Sequence, residues 1–397
     1  MKNVTPELAR LAFPFTEEQL LIYDSVKSFS RDRLGPGAAA RDKSHEFPLE
    51  EVGELAEMGM LAMRVPMDYG GSESDMVSYV LAMEAIGEYD GSMGAIVASS
   101  NLSAKIIADM GNEEQKKKWL EPFAQGKLGP ISFALTEPGT GSDAGGMKTT
   151  AVQDGDSFVL NGAKMWITSG SVAGLHLVFA KTAPDKGSHG VSIFLVEKDT
   201  PGLEVGKEEE KMGLTSSGTV GLFFEDCRIP KENLIGPLDR GYSVALEALG
   251  AGRVGIAGQC IGLAEAAMRE GVGYAMERKV FGRRVVDYQY NQFKIADCRM
   301  ELDSAWLVTL RAAALVDRKQ KAVLETSMAK VKASEALDMI VDQMLQLHGG
   351  YGYSREYTIE RLYRDARITR IYEGTNEIQR MLMSRELLGT AGQSSAK

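Results

Sequence analysis

The chain has 397 residues, 44% hydrophobic and 25% charged, with a net charge of −10. That length supplies two or three domains around a large core, and the acidic balance excludes the basic stripe of a nucleic-acid surface. Three widely spaced cysteines (Cys227, Cys260, Cys298) and four scattered histidines form neither a disulfide framework nor a metal-ligand pattern, so no metal is expected and a reducing compartment fits.

No apolar run approaches the ~20 residues that span a bilayer. The opening MKNVTPELARLAFPFTEEQ lacks the unbroken apolar segment of a secretory signal. A cytoplasmic protein with no membrane association is expected.

Residues 1–127 read as an α-helical domain. In FTEEQLLIYDSVKSF, Thr16 and Gln19 are spaced as a capping box, and Ile22, Val26 and Phe29 share one helical face. Asn112 and Gln115 repeat the capping spacing in GNEEQKKKWLEPF. Asp90, before a glycine in EYDGSMG, reads as a helix cap. Residues 128–238 are short apolar runs broken by Gly, Asp, Asn and Pro. In SFVLNGAKMWI the Asn161–Gly162 pair predicts a hairpin, and LHLVFAK, VSIFLVEK and GTVGLFFEDCRI read as strands. No helical pattern alternates with them, so a β-sandwich or barrel is expected rather than βαβ units. Residues 239–397 return to long helices. Leu302, Trp306, Leu310 and Ala313 share a face, as in a helical bundle. The tail GTAGQSSAK reads as frayed.

Four stretches carry chemistry. ALTEPGTGSD follows a strand with a glycine-rich backbone that lets a ligand approach, or makes an ordinary turn. KMWITSG places Trp166 and Thr168 two residues apart on one strand face. There an indole and a hydroxyl would suit a planar heteroaromatic, or would be a core Trp beside a solvated Thr. ERKVFGRRVVDYQ gathers Arg278, Lys279, Arg283 and Arg284 around Phe281, either to hold a pyrophosphate and stack an adenine or as a solvated basic face. In the stretch LQLHGGYGY through YRDARITRIYEGTNEIQR, Gly349, Gly350 and Gly352 break a helix. Asp365 and Glu373 lie near or beside tyrosines, each open to pairing with a nearby Arg.

Together LTEPGTGSD, WITSG, ERKVFG, QLHGGYGY, YRDARI and IYEGTNEIQR, in this order over nearly the whole chain, resemble the acyl-CoA dehydrogenase family of flavoproteins. The resemblance implies an α+β fold in the order α–β–α, ending in a four-helix bundle. It implies FAD, an acyl-CoA substrate, electron-transferring flavoprotein as electron acceptor, and a homotetramer built as a dimer of dimers. By motif position FAD would meet Phe133, Leu135, Thr136, Gly141, Ser142, Trp166, Ile167, Thr168, Phe281, Thr375, Asn376 and Glu377. Arg278, Gln289, Gln346, Leu347, Gly349 and Gly350 would reach the FAD of a neighbouring subunit. Ser142, Gly250, Ala251, Gly252, Arg253, Tyr372 and Gly374 would touch the acyl-CoA. Glu373 matches the family's late-motif base, whereas the other position used by some members, just before Arg253, is Gly252. The expected reaction is α,β-dehydrogenation of a short or branched short acyl-CoA to the 2-enoyl-CoA. Cyclic or aromatic acyl groups, with Asp90 as an acid beside them, or an oxygen-using flavoenzyme of the same fold, are the alternatives. An intact Glu373 argues against a flavin-bearing nucleic-acid binder.

Overall fold

The computed structural model describes residues 6–389, so all but Gly389 of the tail expected to fray lies outside the described residues. The first part is helical: α1 (Pro6–Ala9), α2 (Glu17–Phe29), α3 (Ala38–Ser44), α4 (Leu49–Glu57), α5 (Met76–Gly87), α6 (Gly91–Met110) and α7 (Glu113–Ala124). Both capping boxes form. Thr16 Oγ1 accepts from the N–H of Gln19 at 3.2 Å, and Asn112 Oδ1 accepts from that of Gln115 at 2.8 Å. Helix α5 is buried on every side, which is why its sequence shows no amphipathic stripe. Asp90 caps α6, with Oδ1 accepting from Met93 N at 3.1 Å and Oδ2 held by Arg41 Nη2 at 2.8 Å. Its carboxylate is therefore committed to structure.

Eight strands follow: β1 (Ile131–Ala134), β2 (Thr150–Asp154), β3 (Ser157–Ile167), β4 (Leu175–Lys181), β5 (Val191–Glu197), β6 (Leu203–Glu208), β7 (Val220–Pro230) and β8 (Leu234–Ile235). They run in the order β6-β7-β3-β2-β4-β5-β8, with β1 parallel to β4. A single pair, Thr150 with Lys181, joins β2 to β4. About that join the sheet folds on itself, so that Phe158 of β3 and Phe194 of β5, from non-adjacent strands, meet with ring centroids 5.0 Å apart. The result is the expected sandwich. Its outer face, through Leu177, Phe179 and Ile193, joins the core of the helices.

The predicted hairpin at Asn161–Gly162 does not exist. β3 runs straight through it, with a bulge against β7 between Leu160 and Gly162. Asn161 bonds across the bulge to Asp226, accepting from its N–H at 2.8 Å. At Gly162 (φ +143°) a Cβ would lie 2.7 Å from Thr149 Cα, so glycine is there for close approach. The turn that joins β2 and β3 is at Asp154–Gly155–Asp156.

The last part holds α8 (Gly241–Glu277), β9 (Lys279–Val280), β10 (Arg283–Arg284), α9 (Gln289–Asp317), α10 (Val323–His348), α11 (Thr358–Arg367) and α12 (Asn376–Leu388). Helices α8, α9 and α10 pack together and α12 lies along α10, while α5 and α6 pack on α8 and join the helical parts. Leu302, Trp306, Leu310 and Ala313 are all buried on α9 as their spacing predicts. Helix α8 is long and apolar enough to cross a membrane by composition, but much of it is enclosed by α5, α6 and α10. β9 and β10 form a hairpin that composition did not reveal, with Phe281 and Gly282 at its tip in left-handed conformation (φ +51° and +76°).

Candidate active site

Glu373 sits in the turn that leads into α12. Both Glu373 and Gly374 have positive φ, +55° and +89°, a conformation that costs a non-glycine residue on the order of 1 kcal/mol. Polar contacts hold the turn. Gln379 Nε2 donates to the carbonyls of Glu373 at 3.3 Å and Gly374 at 3.1 Å, and Lys330 Nζ donates to Gly374 O at 3.0 Å. The turn aims the side chain at α8, where a Cβ on Gly252 would lie 3.1 Å from Glu373 Oε2. The late acid and the vacated earlier position thus converge on one point.

Buried carboxylate oxygens normally find donors. Glu373 Oε2 is shut from solvent and has none among the described residues. Burial pushes the carboxyl up to about 7, against the opposing pull of Arg253 and Lys330. The pairing with a neighbouring Arg that the sequence left open does not form among the described residues, since Arg370 bonds Asp338 at 2.7 Å instead. Arg253 is itself buried, and its Nε has no partner among the described residues. Around them, Tyr372 OH donates to Gln259 Oε1 and Gln259 Nε2 to Gly91 O, both at 2.7 Å. Gly250 and Ala251 are half-buried, with open space where a Cβ on Gly250 would stand. Asp365 turns away from the site and accepts from Leu214 N at 2.7 Å; Arg364 pairs with Asp42 and Glu360.

The glycine-rich loop is tied to β3 by a buried ion pair that sequence reading missed. Lys164 Nζ donates to Glu137 Oε1 at 2.8 Å and to Leu135 O at 3.2 Å, while Glu137 also accepts from the N–H groups of Lys148 and Thr149 at 2.6 and 2.9 Å. Burial holds Lys164 down to about 8 because one carboxylate does not offset the lost hydration. Glu137 stays below the usual carboxylate range, since its donors together outweigh its own burial. Replacing Lys164 with Met should cost about 3–5 kcal/mol by stranding Glu137. Thermal melts should show most of that returned by a further Glu137→Leu change; a loss below about 1 kcal/mol would contradict the pairing.

Beyond the tie, β3 does not run as the sequence implied. Trp166 has φ +63° near the end of β3 and Thr168 lies in the turn after it, so the two do not share a regular strand face. Trp166 is 57% exposed. Among the described residues a Cβ on Gly139 or Gly141 would meet nothing within 4 Å, and the buried hydroxyls of Thr140 and Ser169 have no partner. Thr136 is half-buried, and Ser142 is exposed. Leu135 and Ile167 are buried and can meet a ligand only through their backbone, and Phe133 packs on Phe179.

A third group is separate. Arg278, Gln346, Leu347, Gly349 and Gly350 line an open groove of about 430 Å³ with Tyr274, His348 and Tyr351. Tyr274 stacks on His348 at 4.3 Å, and Arg278 lies over the Tyr351 ring at 5.5 Å. Phe281, 96% exposed, and the exposed Gln289 do not line the groove. Thr375 Oγ1 caps α12, Glu377 is exposed, and the Asn376 amide is committed to Lys330 and Ser334. Lys330, Gln259 and Tyr79 went unnoticed in the sequence. The one available signal was a Lys at a core position of α10.

An exposed indole, glycines opening onto space, unpartnered hydroxyls and an aromatic–arginine groove fit a planar heteroaromatic carrying a diphosphate, and the bare carboxylate fits proton abstraction. These features define a flavin-dependent oxidoreductase. Three family descriptions match in sequence: the acyl-CoA dehydrogenase N-terminal domain over residues 16–127, middle domain over 132–227 and C-terminal domain over 239–388. The chain is 46% identical over 377 residues to the mitochondrial short-chain specific acyl-CoA dehydrogenase of Homo sapiens, covering 94% of this chain and 90% of that protein. It is 42% identical over 376 residues to the caffeyl-CoA reductase-Etf complex subunit CarC of Acetobacterium woodii, covering 94% and 99%. The solved butyryl-CoA dehydrogenase from Megasphaera elsdenii matches with a TM-score of 0.92 at 37% identity, covering 95% of this chain and 99% of that one. The chain belongs to the acyl-CoA dehydrogenase family, and its cofactor is FAD.

Proposed function

We propose that the protein converts a short or branched short acyl-CoA to the 2-enoyl-CoA, with Glu373 taking the α-proton. The observation that carries this is Glu373 Oε2: buried, without a donor, raised to about 7 and facing the space above Gly252. A thioester α-C–H is a weak acid, so its removal needs a carboxylate poised near working pH and donors on the thioester carbonyl. The N–H of Glu373, which meets no backbone acceptor among the described residues, would be one such donor. FAD, when bound, supplies the acceptor for the β-hydride. Trp166, Thr168 and the Thr136–Ser142 loop would hold its ring system. The Arg278–Gly350 groove would hold the dinucleotide end of FAD from a second subunit, which makes a homotetramer part of the reading. Electron-transferring flavoprotein is the proposed acceptor; the Etf in the CarC relative's name supports it.

The packing of α8 supports a short acyl chain. Its face toward Glu373 runs from Gly252 through Gly255 to Gln259, roughly 10 Å. At Gly255 a Cβ would lie 2.5 Å from the Tyr79 ring, and Gln259 is bridged to Tyr372 and Gly91. Space beside the base therefore closes within two turns. Gln259→Ala should raise kcat/KM for hexanoyl-CoA relative to butyryl-CoA about 10-fold, read in steady-state assays. The CarC relative favours an aromatic acyl group as second reading. Anaerobic titration with butyryl-, isobutyryl-, octanoyl- and phenylpropionyl-CoA tests both. Bleaching of the flavin by the C4 substrates, with a product two mass units lighter, is expected. Bleaching by phenylpropionyl-CoA alone would overturn the short-chain assignment.

A further inference from the structure

Helix α10 carries an ammonium where a core side chain belongs. Ser327, Lys330, Ser334, Leu337 and Val341 follow one another at spacings of three and four, and all are buried. Burying a cation is costly unless it is paired. Yet Lys330 Nζ meets no carboxylate within ion-pair distance among the described residues. It donates to Gly374 O at 3.0 Å and to Asn376 Oδ1 at 2.9 Å, and Asn376 is fixed in turn by donation from its Nδ2 to Ser334 Oγ at 3.0 Å. Gly374 O already receives the neutral donor Gln379 Nε2 at 3.1 Å. Satisfying that carbonyl therefore does not require a charge. What the charge does act on is the preceding residue, Glu373, whose backbone has positive φ in the same turn and whose Oε2 has no donor among the described residues.

We propose that Lys330 is a positioning residue for Glu373: it clamps the Gly374 carbonyl so that the carboxylate stays aimed at Gly252, and it supplies a buried positive charge behind that turn. The inference rests on the reading of Glu373 as the base. Facing Glu373 are Arg253 of α8, Tyr79 of α5 and Tyr372 of its own turn. Facing Lys330 are Cys260 and Arg253 of α8, Glu373, and Glu377 of α12. Burial lifts both tyrosines above their ordinary range and Cys260 to about 12, so all three stay neutral while Glu373 titrates. Arg253, though lowered by burial, stays charged, and Glu377 is held below the usual range by the backbone donors of its helix end. Burial pulls Lys330 down to about 8, still above the value of about 7 for Glu373, so the ammonium carries its charge where that carboxyl begins to ionise. Removing its charge therefore raises the Glu373 value further.

The test compares FAD-loaded wild type, Lys330→Gln and Glu373→Gln. Lys330→Gln keeps a donor and loses the charge. Its FAD content and butyryl-CoA KM should stay within about 2-fold of wild type, while the acidic limb of flavin reduction moves up by on the order of 1 pH unit. The protonated-carboxyl infrared band that Glu373→Gln abolishes should shift equally. An unmoved limb and band overturn the inference. If Lys330→Gln does not fold, Asn376→Asp places a counter-charge beside the ammonium and should shift both readouts upward; no shift there overturns it as well. Undiminished flavin reduction in Glu373→Gln would overturn the base reading instead, whatever Lys330→Gln does.

Discussion

Replacing Glu373 with Gln is expected to leave a yellow protein that binds FAD and acyl-CoA normally but reduces its flavin roughly 10²–10⁴-fold more slowly. The shape of the side chain survives and only the base is lost. In wild type the same group should give an acidic limb, with the rate rising through about pH 7 as the carboxylate forms. Stability should respond in the opposite sense. Folding raises this carboxyl from 4.5 to about 7, so between those values the folded chain holds a proton that the unfolded chain has released. The residue therefore costs stability progressively from about pH 4.5 to 7, and fully above. Glu373→Gln should accordingly melt higher than wild type at pH 8, with the gain shrinking toward pH 4. A variant that is slow but no more stable at pH 8 would mean that the carboxylate is better solvated than its surroundings indicate.

Gly252→Glu should be nearly as damaging, and for a different reason. Its Cβ alone would stand 3.1 Å from Glu373 Oε2. Two carboxylates crowded into that space cannot both ionise, so flavin reduction should fall about 10²-fold or more. Adding Glu373→Gly vacates the space and leaves one carboxylate, now carried by α8. That double variant should regain much of the rate, to within about 10–100-fold of wild type, in a stopped-flow assay. A double variant as slow as Glu373→Gln would mean that the two positions do not serve the same point.

Local rules read the local structure well. The capping boxes at Thr16 and Asn112 and the buried stripe of α9 are properties of a few neighbouring residues, and they appear where the sequence puts them. Asn161–Gly162 misled because its turn preference is equally a preference for a bulge; Asp226, 65 residues away, decides between the two. The hairpin at Phe281–Gly282 was hidden by the surrounding basic residues, which drew attention to charge. Glu373 was legible as a motif and not as a site. Its unpartnered oxygen depends on Gly252 being small, on Arg370 turning to Asp338 and on a turn held from α10, none of which is visible in IYEGTNEIQR. For the same reason Lys164 was indistinguishable from a surface lysine, and only its place in the core stripe of α10 marked Lys330, although both are fully buried.

The claim that Glu373 removes the α-proton can be isolated from hydride transfer with acetyl-CoA, which has α-hydrogens and no β-carbon. FAD-loaded wild type incubated with acetyl-CoA in deuterium oxide should place deuterium on the acetyl methyl group, seen by mass spectrometry, with a rate that rises through about pH 7. Glu373→Gln should leave the acetyl group unlabelled. Exchange by that variant at the wild-type rate would show that another group is the base.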